Sequence, residues 1–64
     1  MKILIAYEVK KEKVVEIPDE YGIIFDKSIS EWDDNKRILI DELDEKIPEL
    51  VEEQYVEYHE YYKV

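Results

Sequence analysis

A chain of 64 residues with no cysteine has to draw its stability from one small hydrophobic core. Disulfides, thiolate metal sites and thiol nucleophiles are all unavailable to it. A domain this short hides only about 60% of the surface that its unfolded chain exposes, so one domain is the most it can form. Small secreted domains usually lean on disulfides, which makes a reducing, cytoplasmic setting the expectation. The opening segment, Met1 to Tyr7, meets Glu8 too soon to form a signal-peptide core or a membrane span.

The first nine residues carry the clearest pattern. Ile3, Ile5, Tyr7 and Val9 share one face of a strand by two-residue alternation, while Leu4 and Ala6 make the other face partly apolar. A strand apolar on both sides belongs in the middle of a sheet. Lys10 to Lys13 form a polar break before Val14 to Ile17, so a hairpin is expected. Pro18 to Gly22 is the strongest turn signal, with Gly22, the only glycine, expected at positive φ. Ile23 to Phe25 reads as a short third strand.

Ser28 and Ser30 each precede an acid by three residues, Glu31 and Asp33, as in a capping box. Trp32, Leu39, Leu43 and Ile47 then recur at helical spacing, which predicts a helix over 31–46. A hairpin turning at 33–36 into a strand 37–41 is the alternative. Pro48 is suited to the first turn of a second helix, and Leu50, Val51, Tyr55, Tyr58 and Tyr62 suggest one over 49–62. The same stretch alternates at Val56, Tyr58, Glu60, Tyr62 and Val64, so a strand over 55–63 stays open. The expected fold is α+β: an antiparallel sheet of about three strands (2–9, 14–17, 23–25) against two helices (31–46, 49–62). Its core should hold Ile3, Ile5, Val15, Ile17, Ile24, Phe25, Leu39, Leu43, Ile47 and Val51.

Charge is distributed unevenly. Eighteen acids face nine bases, for a net charge of −9. Residues 1–17 hold four lysines and three glutamates, whereas 18–64 hold fifteen acids against five bases. With so few phosphate-neutralising groups, direct nucleic-acid binding is disfavoured. His59, the only histidine, has just Glu60 beside it, and neighbours on a helix point apart. The two serines are explained by capping. No triad, glycine-rich phosphate loop, cofactor motif or metal-ligand spacing is present, and no enzyme activity, cofactor or metal is expected.

What these features favour is an acidic interaction protein that binds a basic surface. Its most concrete form is a viral or mobile-element type of inhibitor that imitates nucleic acid and occupies a basic nucleic-acid-binding enzyme. Asp41, Glu45, Glu49, Glu52, Glu53, Glu57 and Tyr58 are the expected contacts. The alternative is a structural or regulatory homodimer, antitoxin-like or an assembly subunit, joined through Tyr55, Tyr58 and Tyr62, with its acids serving solubility. Few amides and no thiols fit a heat-adapted source, although an AT-rich coding sequence produces the same bias. Gln54-Tyr55 and Glu57-Tyr58-His59 resemble a stretch in the small phage inhibitors of uracil-DNA glycosylase, which are DNA mimics. The likeness covers about six residues at a different place in the chain order, assigns no family, and implies a strand there.

Overall fold

The computed structural model describes residues 1–64 and has a small α+β fold: a three-stranded antiparallel sheet packed against two helices. Strand β1 (Lys2–Tyr7) lies in the centre, β2 (Lys11–Glu16) on one side and β3 (His59–Lys63) on the other. A 3-10 helix (Asp19–Phe25) and α1 (Asp34–Leu50) cover one face. Ile3 and Ile5 are fully buried between sheet and helices with Ile17, Tyr21, Leu43, Ile47 and Val51. Val15, Ile24, Phe25 and Leu39 pack around them. All ten residues expected in the core are therefore in it or against it, and Tyr21 is an addition.

The β1–β2 hairpin forms as expected, but its turn is built from side-chain-bearing residues in left-handed backbone, Glu8 at φ 53° and Lys10 at φ 70°. Without an Asn-Gly or Asp-Gly pair, the register is set by the buried alternation, Ile3 opposite Val15 and Ile5 opposite Lys13.

Residues 23–25 are not a strand. Pro18 sets an extended entry (φ −57°, ψ 145°), after which the chain winds into the 3-10 helix and Tyr21, Ile24 and Phe25 face the core. Their spacing of three and four is helical, and it outweighs the apolar run. Gly22 consequently has ordinary negative φ, contrary to the expectation for it. A Cβ there would meet only the Met1 sulfur, at 3.8 Å.

Helix α1 starts at Asp34, three residues later than expected. Its N-cap is Asp33, whose Oδ1 accepts from the Lys36 N–H at 3.0 Å. Ser28 donates to Asp26 and Ser30 accepts from the Trp32 N–H, so the serines shape the preceding loop instead. Trp32 thus lies outside the helix and is 80% exposed. Lys36 is buried and donates to the carbonyls of Asp26 and Ile29, which ties that loop to the helix.

The expected break before Pro48 does not occur. Pro48 sits in the last turn, where a missing N–H costs one intrahelical bond. The helix then stops in a Schellman motif: Glu52 turns left-handed (φ 60°), its N–H donates to the Glu49 carbonyl, and the Glu53 N–H donates to the Pro48 carbonyl. A second helix over 49–62 is therefore absent. Residues 51–58 cross the molecule, and 59–63 pair with β1, Ile5 opposite Tyr61 and Leu4 opposite Tyr62. The β propensity of the tyrosines and the open edge of β1 prevail over the helical stripe.

Two substitutions test this backbone. Lys10→Gly should remove left-handed strain and stabilise the protein by about 1 kcal/mol. Gly22→Ala, at negative φ and with room for the methyl, should add about 0.4–1 kcal/mol. Both are expected as upward shifts of the thermal midpoint, and a fall with Gly22→Ala would contradict the 3-10 assignment.

Candidate functional site

The solvent side of α1 is set by its own burial pattern. Leu39, Leu43, Ile47 and Leu50 turn inward, which leaves Asp34, Ile38, Asp41, Glu45 and Glu49 exposed along the opposite side. Steps of four, three, four and four place these five in one ridge, with Asp41, Glu45 and Glu49 about 6 Å apart along the axis. None of the four ridge carboxylates has a cation within ion-pair distance. Ile38, 55% exposed, is an apolar point among them.

The expected contact residues fall in four places. Asp41, Glu45 and Glu49 are brought together on the ridge. Glu52 and Glu53 lie past the helix end and turn back over the sheet, where Glu52 pairs with Lys13 at 2.8 Å and Glu53 with Lys11 at 2.9 Å. The Lys13 ammonium, by hydrogen bond and then by charge, holds the Glu52 carboxyl below its ordinary value. These two acids fasten the 51–58 crossing to β2 and are partly neutralised. Glu57 is in that crossing, its N–H donating to the Glu8 carboxylate at 3.3 Å. Tyr58 reaches the far face of the sheet.

That far face carries no helix. Alternation puts Lys2, Leu4 and Ala6 on it from β1, Glu12, Val14 and Glu16 from β2, and Glu60 and Tyr62 from β3. Val14, Tyr58 and Tyr62 are 52%, 56% and 50% exposed. Both tyrosine hydroxyls donate to the Glu60 carboxylate, and these bonds, Tyr58's foremost, hold that carboxyl below its usual range. Tyr55, grouped with them by helical spacing, is instead in the crossing and 74% exposed.

Where β3 meets α1, His59 Nε2 lies 3.1 Å from Asp44 Oδ1, and the His59 ring stacks on Tyr61. Tyr61 also meets the edge of Phe25, with centroids 5.8 Å apart. The carboxylate partner of His59 is thus Asp44 across the fold and not Glu60. Beside this cluster runs an open groove of about 480 Å³ with Ile24, Ile40 and Tyr61 as its apolar part and Glu31, Lys36, Arg37 and Asp41 as its polar part. No three acidic or histidine side chains converge as metal ligands do. No helix is long and apolar enough to cross a membrane.

One surface feature went unread in the sequence. Trp32, expected in the helix on one face with Leu39, Leu43 and Ile47, instead projects from the loop before α1 with the Arg37 guanidinium 5.4 Å from its ring centre. The acids around it, Glu31, Asp33 and Asp34, were the available sign that it faces water.

Comparison with known protein families, curated proteins and solved structures yields no match.

The half-buried setting of Tyr61 near Asp44 has a measurable consequence. Burial, and then the Asp44 carboxylate, push the Tyr61 hydroxyl up to about 12. The unfolded chain ionises this group near 10. The stability it contributes is therefore complete below about pH 10 and is lost as pH rises toward 12. Tyrosinate absorbance should show one phenol titrating near 12, and Asp44→Asn should bring it down. No change in Asp44→Asn would break the proposed contact between β3 and α1.

Proposed function

We propose that this protein is a non-enzymatic interaction module whose acidic α1 ridge occupies the basic surface of a nucleic-acid-binding protein in place of nucleic acid. The observation that carries this reading is the unpaired state of Asp34, Asp41, Glu45 and Glu49 on one rigid helix face, while lysines elsewhere are engaged by Glu52 and Glu53. Carboxylates spaced about 6 Å apart along an axis fall near every second phosphate of a strand that advances about 3.4 Å per nucleotide. Such complementarity accelerates encounter and selects the partner. Exposed Ile38 and Trp32 give the same side apolar anchors, which pure charge matching lacks.

A second reading, a structural or regulatory homodimer, is favoured by the helix-free face of the sheet with Val14, Tyr58 and Tyr62 exposed on it. In that case the acids keep a self-associating chain soluble. The two readings differ in their response to salt, because the first is driven mainly by attraction between unlike charges and the second mainly by apolar burial between copies of like net charge.

The test is elution. Basic proteins from a host-type lysate are loaded on duplex DNA, single-stranded DNA and RNA resins, and the purified protein is added. It should release a nucleic-acid-binding protein at low salt. The triple variant Asp41→Asn, Glu45→Gln, Glu49→Gln should need about tenfold more protein for the same release. Failure of the native protein to elute anything from all three resins would sink the proposal.

A further inference from the structure

We propose that the helix-free face of the sheet binds a second copy of this chain, sheet against sheet, about a twofold axis running across Val14, Leu4 and Tyr62. The register arranges that face in three rows. The middle row is apolar, with Val14 and Tyr62 on either side of Leu4. One flanking row has Ala6 between two carboxylates, Glu12 and Glu60. The other has Lys2 between Glu16 and Val64, whose N–H donates to the Lys2 carbonyl.

A twofold axis along the middle row lays each flanking row on the opposite one of the partner copy. Leu4 then meets Leu4 across the axis. Lys2 of each copy comes down on Ala6 of the other, the smallest side chain of the face, between the carboxylates of Glu12 and Glu60. Those three charges are available: Lys2 and Glu12 are in no ion pair within the chain, and Glu60 is held only by tyrosine hydroxyls. Glu16, which would face Glu12 of the other copy, is already engaged by the Met1 ammonium at 3.1 Å. The pairing is isologous, so it closes at two copies. A second copy therefore covers the apolar row and sets each Lys2 between two carboxylates of the other chain.

Three strands spaced about 4.8 Å apart, each about 20 Å long, make a small face. It is smaller than standard-size interfaces, so the dimer should be weak and form only at high protein concentration. Each copy carries a net charge of −9, and salt that screens their mutual repulsion should strengthen the dimer. The α1 ridge takes no part, so this inference and the acidic-ridge proposal stand or fall separately.

Sedimentation equilibrium over a range of protein and salt concentrations tests it. The 7.8 kDa chain should approach twice its mass near millimolar concentration, and more readily at higher salt. Val14→Lys, at an exposed position of edge strand β2, and Lys2→Glu should each weaken association about tenfold or more while circular dichroism stays native. The exchange Lys2→Glu with Glu12→Lys should restore affinity to within about threefold of the native value, as a direct charge pair requires. A monomer at every condition overturns the inference. So does a dimer indifferent to Val14→Lys, a double exchange that fails to restore, or growth beyond two copies, which is the mark of edge-to-edge strand pairing.

Discussion

Everything in this fold depends on β1 being paired along both edges. Ile3 and Ile5 have no exposed surface, and they reach that state only because β2 and β3 flank them beneath α1. A two-stranded hairpin alone is marginal in water, and three strands with a helix on one face are close to the minimum that stands by itself. The third strand begins 43 residues after Glu16, the last residue of the hairpin, and the intervening chain exists to return it. Seventeen residues of α1 span about 25 Å, enough to carry the chain across the sheet, and the Schellman turn at Glu52 redirects it.

That return path also sorts the charges. Because the chain leaves α1 over the start of β2, Glu52 and Glu53 fall on Lys13 and Lys11, and the most basic part of the sequence is neutralised from within. Glu42 and Lys46 share the hydroxyl of buried Tyr21. The acids left without cations include those on the outer side of α1. The acidic ridge and the bare sheet face are thus consequences of one topology, on opposite sides of a thin molecule. They are two chemically different surfaces, one dominated by charge and one by apolar area.

The parts of this arrangement that were legible in the sequence are those whose periodicity is unambiguous. Alternation at Ile3, Ile5 and Tyr7 marks β1, and Leu39, Leu43 and Ile47 mark the inner side of α1. Asp41, Glu45 and Glu49 followed from the same helical spacing. The stretch 55–63 satisfies both periods, with Tyr55, Tyr58 and Tyr62 at helical steps and Tyr58, Glu60 and Tyr62 alternating. The unpaired edge of β1 decides between them, and that edge is more than fifty residues away in the chain. The end of α1 was hidden because glutamate, not glycine, takes the left-handed position at 52. Glu52, Glu53, Glu57 and Tyr58 were consequently grouped with a helix they do not belong to. Trp32 was misplaced because capping by Asp33 starts α1 just beyond it.

Hydrogen exchange combined with cross-strand proton contacts, measured by NMR on the native chain, tests the central pairing most directly. The account predicts that β1 amides are among the slowest to exchange and that residues of β1 contact both neighbours, Leu4 with Val14 and with Tyr62. Fast exchange throughout β1, or helical contacts between residues three apart across 55–62, would contradict it.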